Sequence, residues 1–356
     1  MANIKLRDRD AIQTPEGLIF RVFGYNHPPD AYICDAEYAS QNIFKSTDPR
    51  APRTATNQTF YKFYNDEGIK LISNQFQKYT LYHEMLRQKV VGINTEDITQ
   101  TRKPEERLQE ILNTRQKDPL IEAMQRVLNI TTKKSGLRTQ NFGVFGSMLH
   151  GFQHPVYSDI DLTVIGKDEN NRIQNALQKL YQDPNSGMHN EFESDKAMDG
   201  KQWRFKNFTV QDFVWHQRRK QIYGLFDDKA SGRTIKAEFE PVKAWSEVKS
   251  EYDPNTRITR KGWVSLKAKI KKDDEGPFIP SIYYIEPLEV LNGDTAAMET
   301  KRVYSFMEEF RLQAKKGEEV IVEGNLEQVT APKKSFCQVT LTYCPRYYEQ
   351  VLKVLH

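Results

Sequence analysis

The chain has 356 residues, of which 38% are hydrophobic and 28% are charged, and its formal net charge is +4. That length is enough for two or three domains, and no apolar run approaches the length of a membrane span. The charged start lacks the apolar core of a signal peptide, and the three cysteines form no Cys-x-x-Cys pair. The composition therefore predicts a cytoplasmic protein without structural disulfides or a cysteine-based zinc site.

The first hundred residues are predicted to form a β-rich unit. Strands are expected over Leu18–Phe23, Ala31–Cys34 and Phe60–Tyr64, because bulky apolar residues there are bounded by turns rich in Gly and Pro. A linker is predicted over Thr99–Lys103, after which the apolar spacing becomes helical.

Helices dominate the next part of the prediction. The first helix is expected over Pro104–Thr114, and Asp118 with Pro119 gives a second helix its N-cap and first residue. Gly136 is expected to end that second helix. The same patterns predict four further elements: a helix around Ile173–Leu180, a short strand near Phe205, a helix over Val210–Tyr223 and a strand over Thr234–Pro241.

The stretch Gly143–Gly151, followed by Ser158–Leu162, is the most informative part of the sequence. It predicts a strand, a tight turn at Gly146 and Ser147, and a second strand. A glycine lets the backbone approach a ligand closely, and the serine hydroxyl with the following N–H groups can hold a phosphate. The turn is therefore predicted to bind a nucleotide.

Asp159 and Asp161 alternate with apolar residues on the second strand, so both carboxylates are expected on one face. Two carboxylates at this spacing repel each other and are tolerated where a divalent cation lies between them. A hard cation beside a phosphate-binding turn is typical of a site for a metal–nucleotide complex.

The combination of Gly146-Ser147, Gly151 and Asp159-x-Asp161 resembles the polymerase-beta-like nucleotidyltransferase superfamily. Within it, the archaeal CCA-adding type and the small stand-alone members are the most similar. The resemblance covers residues 118–245. It implies a core of mixed sheet and helices that transfers a nucleoside monophosphate from an NTP to an acceptor hydroxyl, with pyrophosphate leaving.

The superfamily also places a third acidic ligand on a later strand, between apolar neighbours. Glu238 fits this place, where the superfamily more often has Asp, and Glu240 on the same face is the alternative. The resemblance implies that Asp159, Asp161 and Glu238 are catalytic and hold two Mg²⁺ ions, for which Mn²⁺ could substitute.

His150 stands where many members of the superfamily have Arg or Lys. A triphosphate contact there would be pH-sensitive, or would come from elsewhere. His150 and His154 are also four residues apart, as in some zinc pairs. Gly151 and Pro155 argue against a shared helix face, so zinc is not favoured.

Basic residues are in excess in the segment that carries the aspartate pair. Its densest basic cluster is Arg218-Arg219-Lys220, at the end of a predicted helix. The cluster could bind the triphosphate or an RNA backbone. It could equally be an ordinary charged helix end, because cations suit a helix C-terminus.

The C-terminal part is predicted to be a second β-rich unit, a small barrel for which an OB-like form is one option. Lys267, Lys269 and Lys271 share one face of a strand. With nearby tyrosines such as Tyr283 and Tyr284, they are predicted to bind RNA through phosphate contacts and base stacking. The alternative is that the lysines protect a sheet edge.

The sequence thus predicts an α+β protein, with a nucleotidyltransferase domain over 101–250 flanked by β-rich units over 1–100 and 255–356. NTP is the predicted substrate and RNA the favoured acceptor. A protein or small-molecule acceptor, as in antitoxin-like or antibiotic-modifying relatives, is the alternative. A non-catalytic nucleotide or RNA sensor is a third hypothesis, although a binding module would not need three acids.

Overall fold

The computed structural model describes residues 5–55, 58–114, 118–154, 156–343 and 346–356. The chain divides into two compact units. The first comprises Met1–His83, Gln88–His189 and Gly224–Glu251, and the second comprises Glu84–Arg87, Asn190–Tyr223 and Tyr252–His356. The predicted segment 101–250 is therefore shared between the units, and most of segment 1–100 lies in the same unit as the aspartate pair. None of the described helices is long and apolar enough to cross a membrane.

The first unit begins with an antiparallel sheet and one helix. Their bounds are β1 (Ala11–Gln13), β2 (Leu18–Val22), β3 (Ala31–Ser40), β4 (Pro52–Ala55), β5 (Gln58–Lys62), α1 (Glu67–Gln75), β6 (Thr80–His83), β7 (Gln88–Asn94) and β8 (Gln100–Arg102). The strands follow the order β4-β5-β3-β2-β1-β8, while β7 pairs with β3 and with β6. Alternate residues of β2, such as Leu18 and Phe20, are fully buried in the core of this part.

Two helices, α2 (Pro104–Asn113) and α3 (Pro119–Ser135), lead to the second sheet. Asp118 caps α3 by accepting hydrogen bonds from the backbone N–H groups of Leu120 and Ile121. Pro119 occupies the first helical position, and Gly136 ends the helix with a φ of 70°. The predicted start and end of this helix are confirmed.

The second sheet contains the motif. In chain order the elements are β9 (Phe142–Val144), α4 (Gly146–His150), β10 (Ile160–Ile165), α5 (Lys167–Tyr181), β11 (Met188–Asn190), α6 (Val210–Arg219), β12 (Tyr223–Asp228) and β13 (Arg233–Val242). The sheet order is β11-β12-β13-β10-β9. Strand β10 runs parallel to β13 and antiparallel to β9, so the sheet is mixed, as predicted.

The prediction differs from the structure between α5 and β13. The predicted helix over Val210–Tyr223 is too long: α6 ends at Arg219, and Gln221, with a φ of 54°, turns the chain into β12. The short strand predicted near Phe205 is absent from this described segment, which is irregular. Phe205 and Phe208 are buried in an aromatic cluster instead, so their hydrophobicity reflects packing rather than strand alternation.

The second unit is built on a barrel. Its strands are β14 (Arg257–Glu275), β15 (Ser281–Asn292), β16 (Thr300–Ser305), β17 (Glu319–Ala331), β18 (Lys334–Leu341) and β19 (Val351–Val354). They follow the order β14-β15-β16-β18-β17-β19, and β14 also pairs with β17, which closes the first five into a barrel. Only β16 and β18 run parallel among these described pairs. This closure abolishes two of the edges that an open sheet would expose.

Candidate active site

Asp161 and Glu238 are direct neighbours across two parallel strands. Strand β10 pairs with β13 in the register that places Asp161 beside Glu238 and Leu162 beside Phe239. Leu162 and Phe239 are fully buried, so the two acids lie on the opposite face of the sheet. Because neighbouring strands are about 4.8 Å apart, the two carboxylates share one small area of that face.

Asp159 lies just before β10 and is exposed. The pKa of Asp161 is raised well above its usual range, first by burial and then by the negative charges of Glu238 and Asp159. Lys62 and Lys236 act in the opposite direction on this pKa. The three acids named from the sequence are therefore close enough to influence one another electrostatically.

The Gly-Ser turn lies directly against Asp161. Gly146 has a φ of 59°, and a Cβ atom at this position would clash with Asp161 Oδ2. Only glycine meets both conditions without strain. The predicted tight turn is a single helical turn, α4, which Gly151 ends with a φ of 71°.

Two lysines beside the acids were not predicted as site residues. Lys236 Nζ lies 2.6 Å from Glu238 Oε1, and Lys62, at the end of β5, lowers the pKa of Asp161. Lys236 could have been found from the sequence, because it lies two residues before Glu238 on the same strand face. Lys62 carried no such signal, since only the tertiary fold brings β5 towards β10.

Glu240 has a different role from Glu238. Its side chain is 4% exposed, and Arg9 Nη2 donates a hydrogen bond of 2.5 Å to Glu240 Oε2. The register places Glu240 beside Thr163 rather than beside Asp161. The geometry therefore favours Glu238 as the third acid, and this assignment stays a prediction.

The first described residues contribute a buried charged run. Arg7, Asp8, Arg9 and Asp10 are each at most 5% exposed. Arg7 donates to the Lys243 carbonyl oxygen at 2.9 Å, so this run packs against the end of β13. In the sequence, the alternation of opposite charges is a sign of such pairing, but without the fold it indicates only a charged start.

A metal site is supported by donor chemistry and not by a formed ligand cluster. Within the described ranges, no three His, Cys, Asp or Glu side chains are grouped so that they could hold a metal ion. Asp161 and Glu238 nevertheless supply hard carboxylate oxygens, and burial with mutual repulsion disfavours ionised Asp161 without a compensating cation. A cation at Glu238 would have to displace Lys236, so the two-Mg²⁺ site stays a prediction.

A pH-sensitive triphosphate contact by His150, one of the two alternatives from the sequence, does not fit this structure. It is 4% exposed, and its ring packs 5.3 Å from the Tyr38 ring and 5.4 Å from the Phe152 ring. Burial, helped by two neighbouring arginines, lowers its pKa to about 3, so the ring is neutral near pH 7. Helix α4 ends before His154, so the two histidines do not share a helix face.

The Arg218-Arg219-Lys220 cluster belongs to the second unit. Lys220 is 1% exposed, and its Nζ donates to the Glu309 carbonyl oxygen at 2.5 Å. Arg219 donates to the Glu318 carboxylate, whereas Arg218 is exposed. Because a buried, bonded ammonium cannot reach a phosphate in solvent, a nucleotide contact by Lys220 does not fit this structure.

The lysine face of β14 is matched by carboxylates. Lys267 Nζ lies 2.7 Å from Glu319 and Lys271 Nζ lies 2.9 Å from Glu286, with Lys269 between them. Strand β14 pairs with both β15 and β17, so these lysines do not protect a free edge. The pairing reduces the positive charge that this face offers to RNA, and its role in RNA binding stays a prediction.

Tyr283 cannot stack on a base, contrary to the prediction. It is fully buried, its hydroxyl donates to the Phe310 carbonyl oxygen at 2.8 Å, and it accepts from the Gln313 N–H at 2.9 Å. Alternate residues of β15 face the barrel interior, so Tyr283 points inward while Tyr284 is 38% exposed.

Comparison with known proteins identifies the domain that carries the motif. Residues 124–222 match the family model described as "Nucleotidyltransferase domain", which confirms the resemblance to the superfamily. The chain therefore contains a nucleotidyltransferase domain, and the matched range ends before Glu238. An uncharacterized protein of Methanocaldococcus jannaschii is 28% identical over 330 residues, which cover 92% of each chain. No solved structure matches the chain.

Proposed function

We propose that this protein transfers a nucleoside monophosphate from an NTP to an acceptor hydroxyl, and that the acceptor is RNA. The acceptor oxygen forms a bond to the α-phosphorus, the bond between that phosphorus and the bridging oxygen of the β-phosphate breaks, and pyrophosphate leaves. The hydroxyl proton passes to solvent. The observation that carries the proposal is the Asp161–Glu238 pair with Gly146 against it; Asp161 and Gly146 lie within the matched range, and Glu238 follows it.

Each group in this arrangement has a separate task in the proposal. Gly146 and Ser147 position the triphosphate, because the missing side chain leaves room for close backbone approach. Asp159, Asp161 and Glu238 would hold two Mg²⁺ ions, or Mn²⁺ in their place, which when bound neutralise phosphate charge and lower the pKa of the attacking hydroxyl.

The closed five-stranded barrel supports RNA as acceptor, because OB-type barrels of five strands bind oligonucleotides. Because Lys267 and Lys271 on β14 are paired with carboxylates, this face offers little free positive charge to RNA. That pairing favours the second candidate, in which the acceptor is a protein or a small molecule. A sensor without catalysis is the least supported, since it would not need the adjacent carboxylates of Glu238 and Asp159 that raise the pKa of Asp161.

The test is incubation of the protein with each labelled NTP, Mg²⁺ and total RNA, followed by separation of RNA, protein and free nucleotide. Label is expected on RNA with the wild type and not with Glu238→Gln. Glu122→Gln, at an exposed position of α3, is the matched control and should retain activity. Label on protein or on a small molecule would change the acceptor, and no transfer from any NTP would contradict the enzymatic function.

A further inference from the structure

The first unit contains a polar cavity of about 550 Å³. Its lining comes from the N-terminal sheet, from α2 and from the segment that ends and follows α4. Among the described residues that line it, Gly146, Asp161 and Glu238 are absent. The cavity is therefore a different site from the acid pair.

The charged residues that line this cavity are Arg102, Lys103, Glu106, Arg107 and Glu110. Arg102, on β8, is half-buried and donates to the His150 carbonyl oxygen at 3.1 Å. Arg107, on α2, donates to the Met148 carbonyl oxygen at 3.4 Å and pairs with the exposed Glu110 at 3.0 Å.

No carboxylate in the described part of the chain lies within salt-bridge distance of Arg102. Burial, and then the charge of Arg107, lower the pKa of Arg102. An anion between the two groups would relieve this repulsion, and paired guanidinium groups match the oxygens of a phosphate.

Unsatisfied polar atoms lie in the wall of the same cavity. His150 lines it, and both of its ring nitrogens are buried without a hydrogen-bond partner in the described structure. Gln153 Oε1, also in the lining, is buried without a partner among the described residues. A buried polar atom without a partner destabilises the fold, and native proteins leave few of them. The neutral His150 ring carries one donor and one acceptor, and neither is used by the described protein groups.

We propose that this cavity binds a phosphate-bearing ligand of nucleotide size. Arg102 and Arg107 hold the phosphate, and His150 with the lining glutamines hydrogen-bonds the remainder. Those glutamines are Gln13, Gln58, Gln100 and Gln153. Phe60 and Phe152 supply an apolar wall, and the volume is in the range of small-molecule sites, about 300–1,000 Å³.

The ligand has two sources with the same chemistry: a free nucleoside monophosphate, or the 5′-terminal nucleotide of an oligonucleotide. This binding goes beyond the proposed transfer reaction, because it needs neither NTP nor a metal ion. It can therefore be tested separately from catalysis.

The experiment measures binding to the full chain in EDTA, without NTP. The probes are AMP and short labelled oligoribonucleotides with a 5′-phosphate or a 5′-hydroxyl. We expect Arg102→Gln and His150→Phe each to weaken binding about tenfold, which corresponds to about 1.4 kcal/mol. Arg172→Gln is the matched control. Like Arg102, Arg172 donates a hydrogen bond to a backbone carbonyl oxygen, here that of Ser135, but Arg172 is exposed and does not line the cavity.

His150→Phe separates a binding role from a structural one. Phenylalanine keeps a ring among Tyr38 and Phe152 and removes two unsatisfied nitrogens, so the melting temperature should not fall. Asp161→Asn should bind the probes like the wild type even if it has lost transfer.

If oligonucleotides with a 5′-phosphate bind more tightly than those with a 5′-hydroxyl, the ligand is the 5′ end of an RNA strand. If AMP binds tightly and the oligonucleotides show no such preference, the ligand is the free nucleotide. Two outcomes overturn the proposal: no probe binds to the wild type, or Arg102→Gln and His150→Phe bind every probe with wild-type affinity.

Discussion

Arg9 and Glu240 are 231 residues apart in the chain and form a buried ion pair with an Nη2–Oε2 distance of 2.5 Å. The Arg9 guanidinium also lies 5.0 Å from the centre of the Phe145 ring, directly before the Gly-Ser turn. The pair therefore connects the N-terminal segment to β13, two residues beyond Glu238, and to the start of α4. We infer that Glu240 positions the site and that Glu238 acts in it.

Glu240→Gln and Glu238→Gln should separate stability from activity. Loss of the Glu240 charge removes the nearer of two carboxylates beside the buried Arg9, leaving Asp8 at 3.8 Å, and we expect it to cost about 3 kcal/mol of unfolding free energy. Glu238→Gln should leave stability nearly unchanged and lower the transfer rate by about two orders of magnitude. Urea midpoints and single-turnover rates measure the two effects. A stable but inactive Glu240→Gln would mean that Glu240 is the third acid.

Gly146→Ala should lower the affinity for NTP in addition to the stability lost through its left-handed backbone conformation. Gly232 is the control, because its φ of 67° is also left-handed. A Cβ atom added at Gly232 would meet nothing within 4 Å, whereas a Cβ atom at Gly146 would clash with Asp161 Oδ2. Both substitutions cost about 1 kcal/mol for a left-handed backbone. Only Gly146→Ala should also lose nucleotide affinity, as measured by titration with a non-hydrolysable NTP. Equal effects of the two variants would show that the turn is only structural.

Removal of one carboxylate from the acid pair should stabilise the protein when no cation is present. Asp161→Asn relieves its repulsion with Glu238 and Asp159, so its melting temperature in EDTA should exceed that of the wild type. Mg²⁺ should then raise the melting temperature of the wild type and not that of the variant. Transfer should be abolished in Asp161→Asn and in Asp159→Ala. Wild-type turnover in either variant would contradict the metal site.

The motif was predictable from the sequence because its parts are local. Gly146, Ser147, Asp159 and Asp161 lie within one strand–turn–strand stretch, where alternation and glycine carry the information. The cap of α3 was predictable for the same reason. The prediction of Glu238 as a site residue also required the resemblance to the superfamily, because its position beside Asp161 depends on the pairing of β10 with β13.

The parts that could not be predicted depend on distant contacts. Lys62 reaches the acids from another sheet, and Arg9 pairs with Glu240 across most of the chain. The division into units also depends on such contacts, because α6 and the barrel belong together through bonds such as Lys220 to Glu309. A single sequence contains no spacing rule for pairs of this kind.

The second unit should lose stability in mild acid because of His216. This residue is fully buried, and its Nε2 accepts a hydrogen bond from the Val354 N–H at 3.0 Å, while Nδ1 lies 2.7 Å from the Asp212 carbonyl oxygen. That pattern requires the neutral ring with its proton on Nδ1. Burial lowers the pKa of His216 to about 4.

The folded pKa of His216 is lower than the unfolded value of about 6.5, so the unfolded state binds more protons between these limits. The stabilisation is complete above pH 6.5 and is lost as pH falls towards 4, a change of about 3 kcal/mol. Trp215, whose ring lies 4.7 Å from His216, reports the transition by fluorescence. His216→Gln should be less stable at pH 7 and show a flatter pH profile; an unchanged profile would contradict this assignment.

The lysine face of β14 provides a direct test of RNA binding. If RNA phosphates bind there, they compete with the carboxylates that now pair with Lys267 and Lys271. Glu319→Gln, which releases Lys267, should then strengthen RNA binding, while Lys269→Gln should weaken it. Loss of one phosphate contact should reduce the salt slope of the affinity by about 0.7 for a single strand.

The two variants change charge in opposite directions on one exposed face, so opposite effects on affinity would locate the RNA there. Binding isotherms over a series of salt concentrations give both the affinity and the slope. Tyr284→Ala, on the exposed face of β15, tests base stacking in the same assay, with an expected loss of about 1–3 kcal/mol if the ring stacks. If all three variants bind RNA like the wild type, this face of the barrel does not hold the acceptor, and a protein or small-molecule acceptor becomes the better hypothesis.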